Sequence, residues 1–566
     1  MTKRASFLFQ TQTGHYLLLL AVTAALTLPS LGAHSLWDID EGLNAEASRE
    51  MLVRGNWITP TFNGELRAAK PALLYWLQMV SYLAFGVNEW AARLPSVLAT
   101  WASVLLTYGL TRRMFDARTG LLAGLVLITS VEVCLLAHAA TPDAVLLACT
   151  LLTFYAFWRG SADGGRAWFV PTGIAAGLAV LAKGPVGVLL PAMIIGLFFL
   201  WNGQWRRLAD RRLISGGVAF ALVALPWYVA VSVTTQSTFI RDFLAKNNVA
   251  RFLQPMEGHA GPPYYHVVGL LVFFAPWCVF LGPTLWYAWR ESRSRALPGF
   301  RPLYGAPPDP AESAAARRGM EAFRLLICWF AAYLVVFSIA ATKLPNYVLP
   351  LYPALAILTA RTLIQWGDRQ IQPAAWVAAT SAIGIALIGV VTSVGLLVAG
   401  GTLPVPFAKV QPLAGLEQWA WLGLLLVAGA GAAFACYRRD QRVGAIVSVT
   451  AAAVAFVGGI AAGPPVALDA HKAPRTLVAA ARLEAGAPVA SLGWFQPSLV
   501  FYARRDVQKL QDLEGAKAFL AQSRPAYLFV PAGLWKQIAP QISTPHAEVA
   551  RHYDFYRRTD VVVVRN

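Results

Sequence analysis

Charged side chains are scarce in this chain. Asp, Glu, Lys and Arg make up 13% of its 566 residues, where a soluble domain carries about 25%. With 57% hydrophobic residues and a mean hydropathy of +0.52, this excludes an ordinary soluble protein and leaves a polytopic membrane protein. Cysteine is sparse as well. The five (Cys134, Cys149, Cys278, Cys328, Cys436) lie within or at the ends of apolar segments with no CxxC spacing, so neither a disulfide framework nor a thiolate metal site is indicated. There is no GxGxxG and no P-loop, hence no sign of a soluble nucleotide. No repeat of fixed period is visible, which counts against the inverted-repeat transporter folds. Acidic residues are the rarer sign, leaving a net charge of +18. In a soluble chain that surplus would suggest nucleic acid; here membrane lipids are the expected partner and nucleic acid is not.

The apolar runs set the organisation. A span of hydrocarbon needs about 20 apolar residues. Candidates fall near 15–33, 93–111, 120–137, 143–158, 168–183, 185–201, 213–233, 265–289, 323–341, 348–364, 375–399, 417–436 and 443–462, about thirteen transmembrane helices. The opening segment resembles a signal peptide, but the many later spans favour a first anchor. Arginines sort to alternate loops: Lys3 and Arg4; Arg112, Arg113 and Arg118; Arg159 and Arg166; Arg206 to Arg212; Arg290, Arg293, Arg295, Arg301, Arg317 and Arg318; Arg361 and Arg369; Arg438, Arg439 and Arg442. The positive-inside rule makes that side cytoplasmic. The Pro- and Ala-rich stretch 290–321 reads as a flexible linker on it. An odd number of spans leaves the C-terminus on the outer side. From about Gly463 the composition changes: short strands in APVASLGW, RRDVQKLQ, PAYLFVPAG and TDVVVVRN alternate with helices in SLVFYARR and LEGAKAFLAQS. The expectation is a membrane domain over 1–462, with a first outer loop at 35–92, and a small C-terminal α/β domain over 463–566.

The outer loops hold the unusual residues. Ser35 to Tyr75 is a long polar insert with Asp38, Asp40, Glu41, Glu46, Glu50 and Lys70. Spacing puts Glu46 and Glu50 on one helical face, in a helix expected to lie along the membrane interface with Asp40-Glu41 at its entry. Ordinary capping would also produce an acidic helix start. The short apolar run 71–86 reads as a second interfacial or re-entrant helix. Asp143 follows Thr141-Pro142 as a helix N-cap would. Lys70, Lys183 and Lys343 sit at segment ends, where lysines snorkel, and Tyr347 suits an aromatic belt. His259 alone reads as a loop histidine. Taken together, however, carboxylates to accept a proton and cations to hold a phosphate suit transfer from a lipid-phosphate donor.

The run DIDEGLNAEASREMLVRGNWITPTFNGELRAAKPALLYWLQMVSYLAFGVNEWAARLPSVLAT resembles the first outer loop of bacterial lipid A aminoarabinose transferases. More broadly it is similar to the polyprenyl-phosphate-dependent GT-C glycosyltransferases, which include the protein O-mannosyltransferases. TPDAVLL, ARFLQPMEGHAGPPYY and TKLPNYVLP extend the likeness across the membrane domain. The resemblance implies a multi-pass protein of the bacterial inner membrane with a periplasmic active site and C-terminus. It implies an inverting transfer of a sugar from an undecaprenyl-phosphate donor to lipid A or another glycan or protein acceptor. Asp40, Glu41 and Asp143 match its carboxylates, with Asp40 as the base. Lys70, Lys343 and Tyr347 match residues expected near the donor phosphate, and Lys183 joins them as a further cation on that side. His259 matches a histidine that would hold a metal. Two departures bear on this: Leu43-Asn44 stands where an Arg-Tyr pair is usual, and Ala69 where a Glu is usual. The second removes a carboxylate ligand, so no cofactor is assigned and a divalent cation stays an open alternative. A lipid-linked sugar flippase or transporter is the non-enzymatic alternative.

Overall fold

The computed structural model describes residues 11–161, 168–293, 310–404 and 411–566. Lys3, Arg4, Arg166, Arg295, Arg301 and the centre of the 290–321 stretch lie outside the described residues. Among those described, eight helices are long and apolar enough to cross a membrane. Two bent pairs, Ala117–Ile128 with Val131–Ala137 (67°) and Tyr265–Phe273 with Trp277–Arg293 (117°), raise the number to ten if each pair is one span. All thirteen expected segments are helical: ten pass this test of length and three are shorter. The other three segments are helices, but Gln12–Thr27, Phe169–Lys183 and Val186–Trp201 have only 16, 15 and 16 residues. Gly184-Pro185 cuts the last two apart, because glycine at φ +86° and proline end one helix and start the next.

The bundle is a polytopic membrane protein. Arg212–Thr234 turns Leu222, Val229 and Val233 outward, and Ala375–Gly400 does the same with Ile383, Leu387 and Val391, as hydrocarbon-facing helices do. Small residues allow close helix contact. A Cβ on Gly423 would lie 2.0 Å from the Gly389 carbonyl oxygen, so the backbones of Ala375–Gly400 and Leu422–Arg438 meet at glycine, as membrane helices commonly do.

The C-terminal part carries a five-stranded sheet. Its strands are β3 (Val489–Leu492), β4 (Val507–Leu510), β5 (Tyr527–Pro531), β6 (Ala547–Asp554) and β7 (Thr559–Arg565), in the order β4-β3-β5-β7-β6; β1 and β2 belong to the outer loop described below. β3 is parallel to β4 and β5, while β7 is antiparallel to β5 and β6. Period-two alternation sends Val561 and Val563 to one core with Leu477, Leu499 and Val500. Val562 and Val564 go to the other, with Phe519, Leu520 and Trp535. Strand β6 was not foreseen. It is an edge strand carrying the charged Glu548 and Arg551, of the kind that natural sheets use to protect edges.

The first outer loop is not a free interfacial helix. Asp40–Val53 lies between the helix Leu73–Phe85 and the C-terminal part, and its Glu41, Asn44, Glu46, Ser48 and Glu50 are all buried. Each has a partner. Arg49 forks onto Glu46 at 2.7 Å through two nitrogens, and the Ser48 hydroxyl meets Gln78 Oε1 at 2.6 Å. Glu50 accepts from Thr61 Oγ1 and from the Asn63 amide, the latter at 2.5 Å. Asn63-Gly64 turns the hairpin β1 (Thr61–Phe62) and β2 (Glu65–Leu66), and its tip is tied to the C-terminal part. The Asn63 side-chain Nδ2 donates to the Val507 carbonyl (3.0 Å) and its Oδ1 accepts from the Val507 backbone amide (2.7 Å).

Further ties fix the loop start. The Ser35 amide donates to Asp469 (2.7 Å), and the Ser498 amide donates to Asp38 (2.8 Å). The Ser498 hydroxyl donates to the other Asp38 oxygen. Gly42 is the contact point: a Cβ there would sit 2.5 Å from the Ser498 amide nitrogen and 2.6 Å from Asp38 Oδ1. Gly42→Ala is therefore expected to force the two parts apart and cost about 1–3 kcal/mol. The measurement is the unfolding midpoint of the purified protein; an unchanged midpoint refutes the claim that this contact is tight.

Candidate active site

Five outer segments bring charge together at one place. Asp40 begins the helix Asp40–Val53, and its exposed carboxylate makes no hydrogen bond or ion pair among the described residues. Lys70 precedes Pro71 at the entrance to Leu73–Phe85, half-buried and likewise without a hydrogen-bond or ion-pair partner among the described residues. Asp143 starts Asp143–Ser161, is buried and pairs with the Lys183 ammonium, with Asn346 close by. Lys183 lies 5.3 Å from the Tyr347 ring centroid. Arg251 donates to the Tyr347 hydroxyl at 3.2 Å and pairs with Glu257 at 2.7 Å.

These groups feel one another. Burial lowers the Lys70 pKa to about 8; Lys183 and Arg251 push the same way, while Asp40 and Asp143 oppose them. The field of Asp40 also reaches Lys183. Two cations beside one unpartnered amine, partly withdrawn from water, form a place that is incomplete without an anion. Glu132 is buried just past the bend at Ala117–Ile128, and its field reaches both Asp143 and Lys183. On its other side Asp40 lines a cavity of about 500 Å³ with Trp37, Leu136, Pro464, Pro465 and Leu468 among its walls.

Some expected site residues stand elsewhere. Glu41 is buried under the site in a two-pronged pair with Arg93 at 2.9 and 2.7 Å. Burial alone would raise its pKa. Arg93 and the amides of Trp37 and Ala140 outweigh this and hold it below the ordinary glutamate value. It has no lone pair to spare for chemistry, so a positioning role replaces the catalytic one. Arg93 also donates to the carbonyls of Leu31, His34 and Ser35, so one guanidinium anchors the whole loop start. Replacing it strands a buried carboxylate. Arg93→Met is expected to cost about 3–5 kcal/mol, read as a large drop in unfolding midpoint; the double variant with Glu41→Leu should recover part of it.

Lys343 gives its amine to the carbonyls of Phe337 (3.0 Å) and Ser338 (2.6 Å). It closes the end of the helix Pro310–Ile339 instead of joining the cluster, because unpaired C-terminal carbonyls attract a nearby ammonium. His259 is exposed in the 234–264 loop. Among the described residues no group of three or more His, Cys, Asp or Glu is placed to hold a metal, and Ala69 supplies no ligand beside Lys70. Arg251, Asn346 and Arg93 were not singled out from the sequence. Arg251 and Asn346 stand inside ARFLQPMEG and TKLPNYVLP, and only that position marked them.

Comparison with known proteins agrees with this geometry. The family model for dolichyl-phosphate-mannose-protein mannosyltransferase matches residues 69–229. An undecaprenyl phosphate-alpha-4-amino-4-deoxy-L-arabinose arabinosyl transferase of Erwinia tasmaniensis is 30% identical over 355 residues, covering 61% of this chain and 59% of that protein. One from Pseudomonas fluorescens is 31% identical over 357 residues, covering 62% and 59%. The crystal structure of ArnT from Cupriavidus metallidurans bound to undecaprenyl phosphate superposes with a TM-score of 0.76 at 25% identity, covering 98% of each chain. The chain shares the GT-C membrane fold of that ArnT structure. The sequence alignments span 59% of the length of these two curated relatives, whereas the structural match runs nearly end to end. Like ArnT, the chain is a multi-pass membrane protein. It keeps the GT-C fold with Ala69 and Leu43-Asn44 at the two departing positions. Around the latter, the Asn44 amide donates to the Ala140 carbonyl (3.1 Å) and its oxygen accepts from Arg67 (3.2 Å). Arg67 also reaches the Tyr75 hydroxyl at 3.2 Å.

Proposed function

We propose that the chain is an inverting glycosyltransferase that moves a sugar from an undecaprenyl-phosphate carrier to an acceptor at the periplasmic face of the bacterial inner membrane. The observation that carries this is the unpartnered Lys70 amine, flanked by Lys183 and Arg251, with the unpaired Asp40 carboxylate within its electrostatic reach. The acceptor hydroxyl enters from the 500 Å³ cavity and gives its proton to Asp40. Its oxygen attacks the anomeric carbon as the bond to the carrier phosphate breaks on the opposite face, which inverts the centre. Lys70 and Lys183 receive the charge that grows on the leaving phosphate. In a partly dry site that stabilisation is worth far more than in water. Asp143 and Tyr347 hold Lys183 in place, so they position the cation and do not exchange the proton.

The relatives' names make 4-amino-4-deoxy-L-arabinose the sugar to test first, and the resemblance of the first outer loop makes lipid A the acceptor to test with it. The dolichyl-phosphate-mannose family description supports a second reading, a protein hydroxyl as acceptor. Residues 1–462 form the transferase domain in this reading. Residues 463–566 form a periplasmic module that buries the catalytic loop's polar helix. The test is reconstitution of the purified chain in vesicles with the undecaprenyl-phosphate aminoarabinose donor and lipid A, followed by mass spectrometry of the lipids. A new glycosidic bond on lipid A supports the reading. Donor crossing the bilayer with its glycosidic bond intact refutes it in favour of a flippase.

A further inference from the structure

A second large cavity, of about 850 Å³, lies at the opposite, Arg-rich end of the bundle. Five elements wall it, and each contributes the part nearest its arginines: the bent element ending in Arg290 and Arg293, the helix before Arg369, the first turns of Ala375–Gly400, Ala433 to Tyr437 before Arg438, and Ala445 to Val449 after Arg442. Lys70, Asp40, Asp143 and Arg251 are absent from its walls. Its volume falls within the range of sites that enclose a whole small ligand.

Three features select the occupant. The walls are apolar and sit between membrane helices, so lipid and not water is the surrounding phase. Trp286 and Trp376 line the cavity yet are 64% and 67% exposed, so it opens sideways toward that lipid. Arg290 lies at the mouth with its guanidinium 5.3 Å from the Trp286 ring centroid. Its Nε and Nη2 reach Glu291 at 3.3 and 3.1 Å, while Nη1 makes no hydrogen bond among the described residues. Gln370, Thr380 and Ser381 add polar groups to the lining. A basic pocket between membrane helices is the form that anionic phospholipid headgroups recognise.

We propose that this groove binds one anionic phospholipid, its phosphate at Arg290 and an acyl chain against the first turns of Ala375–Gly400. The lipid fills the wedge between that helix, the end of Leu422–Arg438 and the bent element that carries Arg290. It is separate from the transfer site and does not rest on the proposed reaction.

Native mass spectrometry tests it, on the full-length protein in mild detergent with an equimolar mixture of phosphatidylethanolamine, phosphatidylglycerol and cardiolipin. The wild type is expected to retain one anionic lipid in preference to phosphatidylethanolamine. Arg290→Gln, at the exposed rim, should reduce that preference about fivefold. Ala382→Trp should block the groove and abolish retention altogether. No retained phospholipid overturns the proposal, as does equal retention by wild type and both variants. Displacement of the phospholipid by undecaprenyl phosphate also overturns it, because the groove would then belong to the carrier's tail.

Discussion

Asp40→Asn is expected to lower transfer by about 10²–10⁴-fold, the usual contribution of a positioned general base, while the protein stays folded and inserted. The stability part of this expectation comes from the surroundings. Asp40 is exposed and unpaired, whereas its neighbours Asp38 and Glu41 are tied to Ser498 and Arg93. Removing its charge therefore strands nothing. The rate part comes from placement: Asp40 faces both the cation cluster and the 500 Å³ cavity. Turnover per folded molecule is the quantity to measure, with the unfolding midpoint beside it. Full turnover in the variant would remove Asp40 as the base.

Lys70→Met is expected to weaken the donor's apparent affinity by about 2–5 kcal/mol, the cost of removing one partner from a partly buried charged pair. Lys343→Met should leave that affinity nearly unchanged, because its amine is already spent on the Phe337 and Ser338 carbonyls. The contrast separates a phosphate ligand from a helix cap. The pH dependence follows from the same residue. Lys70 is held down at about 8, so the ammonium that grips phosphate is complete below that pH and is lost as pH rises through it. kcat/KM for the donor should carry a descending limb near 8, since that parameter reports the free enzyme. The limb should vanish in Lys70→Met. Its persistence there would assign it to another group.

The likeness to the first outer loop led to Asp40 and Lys70, and both come to one place in the fold. Glu41 shows where a one-dimensional reading fails. It stands beside Asp40 in sequence, and only the arrival of Arg93 from 52 residues away separates a locked carboxylate from a free one. Lys343 repeats the lesson: a lysine before Leu-Pro reads as a ligand until the end of the preceding helix takes up its amine. All thirteen apolar segments are helical, but where the shorter and bent ones end is set by Gly184-Pro185 and by backbone bends that hydropathy does not register.

Composition alone determined that this chain lives in a bilayer, since 13% charged residues cannot clothe a water-soluble surface. The unbroken run of four valines near the C-terminus likewise marked a strand, and the fold buries it on both faces. Which carboxylates are free to work was decided only by tertiary structure. A side chain's availability depends on every donor that folding delivers to it, and those donors come from segments hundreds of residues apart.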